Sequence, residues 1–105
     1  MTSKDRKYLR GLAHSLNPVV IVGQRGLNDS VIRQVDQALT DHELIKVRLG
    51  GDCPVHRDEA APAIGERTGS DVAGVIGRVL ILYRAHPEHP TIKLPAAVAA
   101  PADPE

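Results

Sequence analysis

The chain of 105 residues contains no Phe and no Trp, and its two tyrosines are Tyr8 and Tyr83. Its core must therefore be aliphatic, and the aromatic platform on which RRM domains stack bases is excluded. A single cysteine, Cys53, excludes an internal disulfide, so a reducing, cytoplasmic setting is expected. Apolar runs such as Val19–Val22 and Val79–Tyr83 are far too short to cross a bilayer. The N-terminal MTSKDRKYLRG is charged where a secretory signal is apolar, and no membrane partner is expected. Formal net charge is zero, with 13 Lys and Arg against 13 Asp and Glu, so there is no bulk excess of positive charge to draw in a polyanion. Also missing are a nucleophile elbow, a paired-carboxylate motif and a dinucleotide fingerprint. No enzyme activity, catalytic residue or cofactor is expected. His86-Pro87-Glu88-His89 brings two imidazoles and a carboxylate together. No further ligands stand at a recognised spacing, and no metal is expected.

What is present is unevenly distributed. Residues 1–48 hold eight Lys and Arg against five Asp and Glu, a surplus of three, and residues 49–105 hold five against eight, the reverse. A basic half and an acidic half are compatible with one face that meets a polyanion, but a mixed solvated surface is the commoner explanation of such counts.

The length predicts one domain. Thr2-Ser3-Lys4-Asp5 reads as a helix start, followed by Tyr8, Leu9, Leu12, Ala13 and Leu16 at helical spacing. Lys7, Arg10 and His14 form a cationic row on another face of that helix, and Asn17-Pro18 ends it. The β-branched run Val19–Val22 predicts a strand buried on both faces. Asn28 is the expected cap of a second helix, with Leu27 stapled to Ile32 and a stripe of Val31, Val35, Ala38 and Leu39. In Leu44–Leu49, Ile45, Val47 and Leu49 point one way and Lys46 and Arg48 the other. Residues 54–68 predict a third helix that Pro62 and Gly65 should delay, kink or split. Val72–Ile76 and Arg78–Arg84 read as antiparallel strands around Gly77, the second apolar on both faces like a central strand. Thr91–Leu94 allows a short extended segment, and residues 95–105, rich in Ala and Pro, predict a disordered tail. The expected fold is α/β: a two-layer α-β-α-β-α-β-β arrangement, with a mixed four-stranded sheet covered by helices on one side.

Gly23-Gln24-Arg25-Gly26 stands between the first strand and the second helix. Glycines allow a tight turn and close approach of an anion to the backbone. Helix N-termini present unpaired N–H groups, and Arg25 adds a forked donor suited to phosphate oxygens. These are the ingredients of a KH-type GXXG clamp on RNA. Without a following Gly-Lys-Ser/Thr it is not a Walker A loop. Gly74-Val75-Ile76-Gly77 fits the same pattern, but its middle residues are apolar and it leads into a strand, so it reads as packing and a turn. A tight turn without a ligand accounts for Gly23–Gly26 equally well on local grounds.

Three blocks in order, GLAHSLNPVVIVGQRGLND, DHELIKVR and ERTGSDVAGVIGRVLILYR, resemble the YhbY-like CRM (chloroplast RNA splicing and ribosome maturation) domain, of which bacterial stand-alone members have about this length. The likeness runs from about Thr2 to Leu94, which sets the expected domain at residues 1–94. The resemblance implies a fold similar to the C-terminal domain of translation initiation factor three. It also implies an RNA-binding protein that associates with ribosomal RNA of the large-subunit precursor, 23S-type RNA, and assists ribosome assembly. The family's GXXG loop falls on Gly23, Gln24, Arg25 and Gly26, and its basic first helix on Lys4, Lys7 and Arg10. Its HELIKV strand brings Lys46, with Arg48 beyond, its Ile-Gly-Lys turn falls on Ile76-Gly77-Arg78, and its Leu-Tyr-Arg ending on Leu82-Tyr83-Arg84. Pro62, Gly65 and the weakly basic HPEHPTIKLP depart from the family pattern. The expected RNA contacts are therefore Lys4, Lys7, Arg10, Gly23, Gln24, Arg25, Gly26, Lys46, Arg48 and Arg78, in a protein expected to be a monomer. The rival reading is an adaptor docking on a ribosomal protein or assembly factor, which predicts an exposed hydrophobic patch in place of a cationic one.

Overall fold

Each helix begins where the sequence supplies a cap. Thr2 Oγ1 accepts from the Asp5 N–H at 3.1 Å, and Asp5 Oδ2 accepts from the Thr2 N–H at 3.3 Å, a reciprocal box that opens α1 (Ser3–Ala13). Asn28 Oδ1 accepts from the Val31 N–H at 2.8 Å and opens α2 (Asp29–His42). His56 opens α3 (Arg57–Thr68) by accepting from the Asp58 N–H, and Gly69 closes it in the left-handed conformation. These elements belong to a computed structural model that describes residues 1–95. With the strands β1 (Val20–Val22), β2 (Leu44–Leu49), β3 (Asp71–Ile76) and β4 (Val79–Tyr83), the order is α-β-α-β-α-β-β, as expected. The expected tail over 95–105 lies, apart from Pro95, outside the described residues.

The sheet order is β1-β2-β4-β3. β1 is parallel to β2, and β4 is antiparallel to both β2 and β3. β2 and β3 thus run the same way with the last strand inserted between them. β4 is central and buried on both faces, as its unbroken apolar sequence requires.

The layering differs from the two-layer expectation. α2 and α3 cover one face, where Val31, Val35, Leu39, Ala60, Ala61 and Ile64 meet Val22, Ile45, Val47, Leu49, Leu80 and Leu82. α1 lies on the other face, packing Leu9 and Ala13 against Leu44, Ala73, Ile81 and Tyr83. The physical reason is β4: Ile81 and Tyr83 alternate with Leu80 and Leu82, and apolar side chains on both faces need cover on both. α1 covers only part of its face, so Tyr8, Leu12 and Leu16 from its predicted stripe stay exposed.

β1 also departs from expectation. It is a three-residue edge strand, and Ile21 keeps 61% of its surface exposed and Val19 50%. α3 starts at Arg57 and runs unbroken through Pro62, which is exposed. Gly65 allows α3 to approach β3, since a Cβ there would stand 3.1 Å from the Ser70 carbonyl oxygen.

Residues 86–94 fold back over the α1 face as a strap, where Ile92 and Leu94 pack on the smaller core. Thr91–Leu94 forms no strand. The strap is held by Glu43, which is 4% exposed. One carboxylate oxygen accepts from the His86 N–H at 2.8 Å, and the other from the N–H groups of Thr91 and Ile92 at 2.9 and 3.2 Å and from the Thr91 hydroxyl. Burial alone would raise the Glu43 pKa, but these donors, the Thr91 hydroxyl foremost, outweigh it and hold the group below the ordinary glutamate value. Nearby, burial and the charges of Glu43, Asp71 and Asp5 raise the pKa of Tyr83.

Candidate nucleic-acid interface

The Gly26 N–H donates to the Gly23 carbonyl at 3.0 Å and closes a four-residue turn with Gln24 and Arg25 exposed at its tip. Gly26 has φ +63°, and a Cβ there would meet Pro54 Cγ and Val55 Cγ2 at 3.4 Å. Its conformation favours glycine, while its seat against the β2–α3 loop leaves ordinary contact distance for a Cβ. Downstream, Arg67 of α3 donates to the Leu27 carbonyl and pairs with Asp29, both at 3.0 Å. The turn is pinned from below and behind while its tip stays open. The Gln24 and Arg25 N–H groups and the Arg25 guanidinium have no partner among the described residues. Two features differ from the expected loop. The Gly26 N–H is consumed within the turn, and α2 starts three residues further on, with Asn28 already satisfying the Val31 N–H. The free amides are those of the turn itself.

Three connections meet at this end of the sheet. The Gly50 N–H donates to the Val22 carbonyl at 2.8 Å, and the Leu49 N–H to the Arg78 carbonyl at 2.7 Å. Arg57 Nη1 donates to the Gly77 carbonyl at 3.0 Å. The GXXG turn, the β2–α3 loop and the β3–β4 turn are therefore tied together, and they bring Arg25, Arg48 and Arg78 to one end of the molecule. None of these three side chains has a partner among the described residues. Beside them a recess of about 470 Å³ is lined by Gly51, Cys53, Pro54, His56, Arg57 and Arg78, among others.

The other expected contacts are placed differently. Arg10 Nη1 donates to the Ala73 carbonyl at 3.0 Å, and its stem lies over Gly74, where a Cβ would stand 2.6 Å from Arg10 Cδ. Gly74 is thus a packing glycine, as its apolar surroundings in the sequence indicated. Lys46 Nζ donates to the Leu16 carbonyl at 3.0 Å and lies 3.5 Å from that of His14, completing the C-terminal end of α1. Arg10 and Lys46 therefore spend donors on the fold. Lys4 and Lys7 are exposed on α1, but the first turn of α1 faces the Tyr83 end of the sheet, where the Asp5 charge reaches Tyr83. That end is opposite the GXXG turn.

Arg57 and Arg67 buttress the site and were not singled out from the sequence, since their partners lie 20 and 40 residues away. Arg84, in the Leu-Tyr-Arg block, is structural: it binds Asp36, Thr40 and the Thr68 carbonyl. His86 Nδ1 accepts from the N–H groups of Glu88 and His89, so this imidazole closes a local turn in the strap.

Fold and site together define a small α/β domain with a mixed four-stranded sheet and a glycine-bracketed, arginine-tipped turn at one end. The model of the CRS1/YhbY (CRM) domain matches residues 1–84, and the chain belongs to that family. It is 36% identical over 95 residues to Probable RNA-binding protein YqeI of Bacillus subtilis, covering 90% of this chain and 99% of that protein. It is 39% identical over 95 residues to an RNA-binding protein of Haemophilus influenzae, covering 90% and 95% respectively. The solution structure of a hypothetical protein from Staphylococcus aureus superposes with a TM-score of 0.78 at 37% identity, covering 90% of this chain and 99% of that one. These relatives are named for RNA binding and not for an enzymatic activity.

Proposed function

We propose that this protein binds RNA through the GXXG end of its sheet, and that its target is ribosomal RNA of a large-subunit precursor, bound during ribosome assembly in the cytoplasm. The observation that carries the reading is the convergence of Arg25, Arg48 and Arg78, all without partners among the described residues, around a turn whose two tip amides also have none there. Phosphate oxygens accept from both kinds of donor, and a pinned turn loses little freedom when they dock. Gly23 and Gly26 shape the turn, and Gln24 and Arg25 hold the phosphate. Arg48 and Arg78 extend the grip, and Lys4 and Lys7 offer a second, more distant contact along α1. Arg10 and Lys46 act through the fold. Contacts of this kind fix position on the RNA and carry little base preference.

The names of the relatives support RNA as the ligand class. The ribosomal target rests on the family likeness, and crosslinking in cells followed by RNA sequencing tests it: reads concentrated on large-subunit precursor RNA are expected, and reads spread over messenger RNA would refute it. The grip is tested by replacing Gln24 and Arg25 with Asp. Because both are exposed, the variant should melt like the parent yet lose RNA affinity by about tenfold or more. Arg25→Ala alone should lower the slope of log affinity against log salt by about one phosphate contact.

A further inference from the structure

A row of residues across the α1 side of the sheet goes beyond what a phosphate grip needs. Strand register sets Ile21 beside Arg48, Arg48 beside Val79, and Val79 beside Ile76. The four form one line over all four strands. Their chain neighbours Val20, Val22, Val47, Leu49 and Leu80 enter the larger core, so the row projects from the opposite face. α1 covers that face only around Leu44, Ala73, Ile81 and Tyr83. Ile21 and Ile76 are each 61% exposed, Arg48 is exposed and Val79 half-buried. Two branched apolar side chains on the outer strands thus flank an arginine that has no partner among the described residues.

The charge around the row selects its occupant. Arg10 borders it over β3, Lys46 stands two residues from Arg48, and Arg25 lies beyond the end of β1. One carboxylate stands near the row: Asp52 Oδ1 and Ile21 Cγ2 both lie within 4 Å of where a Gly50 Cβ would be, and the cations Arg10, Arg25, Lys46 and Arg48 outnumber it. A second copy of this chain docked symmetrically would bring Arg48 toward Arg48, a repulsive arrangement. A polyanion that also presents flat apolar surface meets both requirements.

We infer that the Ile21–Arg48–Val79–Ile76 row seats unpaired bases of single-stranded RNA whose phosphates lie along the GQRG turn. The Arg48 guanidinium plane stacks on a base, as arginine does in other single-strand sites, and the isoleucine branches supply the apolar contact that aromatic rings supply elsewhere. Duplex RNA keeps its bases paired and offers chiefly sugar and phosphate, so it gains nothing from the row. The inference rests on the RNA-binding reading above and names the form of RNA that the site takes.

The test uses the full chain and fluorescence anisotropy, with an oligouridine of about ten nucleotides and an RNA duplex of matching length as probes. Ile21→Thr with Ile76→Thr keeps β-branched residues in both strands. It should weaken oligouridine binding about fivefold or more, with salt slope, duplex affinity and thermal melt unchanged. Arg48→Lys, which keeps the charge and loses the plane, should weaken the single strand more than the duplex. Unchanged oligouridine affinity in the isoleucine variant, or equal weakening of both RNAs, overturns the base seat and leaves the grip standing. An unaffected Gln24→Asp/Arg25→Asp variant instead overturns the grip. A parental dimer in sedimentation that the isoleucine substitutions dissociate would assign the face to a second copy and overturn the inference.

Discussion

Glu43 combines two costs at one residue. It closes α2 with φ 64°, a positive-φ conformation that favours glycine, and it buries a carboxylate. Glycine would relieve the first cost and lose the strap, because the side chain receives four hydrogen bonds from residues 86–92. Its pKa in the folded chain lies below the ordinary value, so the unfolded chain binds the proton more tightly. The stabilisation is complete above the unfolded glutamate value of about 4.3 and is lost as pH falls through the lower, folded value. Glu43→Gln should cost about 1–3 kcal/mol at neutral pH. It should also flatten the fall in melting temperature below about pH 4.3, as followed by circular dichroism. At Gly65, where the nearest obstacle is a backbone oxygen, Gly65→Ala should cost about 1–3 kcal/mol in urea unfolding without changing RNA affinity, since the GXXG turn is untouched.

At the scale of the element, the legible features were those whose cause is local. The Thr2 and Asn28 caps, the buried stripe of α2 and the alternation of β2 each depend on residues a few places apart. The GXXG turn was legible for the same reason. The placement of α1 was not, because its stripe would suit either face of the sheet. The available signal was β4, whose two apolar faces required cover on both sides. The employment of Arg10 and Lys46 was also hidden, since their partners lie 63 and about 30 residues away. A cation on a helix row looks the same whether it faces solvent or a distant carbonyl. α3 shows the limit of a propensity rule. Pro62 cannot donate to the carbonyl of Asp58 four residues back, yet the helix continues, because Ala60, Ala61, Ile64 and Thr68 are buried on its core side while Pro62 faces out. Pro62→Ala restores that donor and should stabilise the protein by roughly 1–3 kcal/mol, measured as a higher urea midpoint.

At the scale of the molecule, the matched family region ends at residue 84, but the packing does not. Removing residues 85–105 would strip Glu43 of its donors and uncover Leu9, Ile81 and Tyr83, so the truncated chain should unfold at lower denaturant. In that truncated background Glu43→Gln should have almost no effect, because the two changes remove the same interaction. Near-additive losses in a double-mutant cycle would show that the strap and Glu43 act separately. The sheet order β1-β2-β4-β3 carries one more consequence, for synthesis. The middle of the sheet is the last strand to be made, so β2 and β3 leave the ribosome without the partner that joins them. The nascent domain cannot close until Tyr83 has cleared the exit tunnel, and a translation-arrest reporter should register folding force only from chain lengths beyond that point.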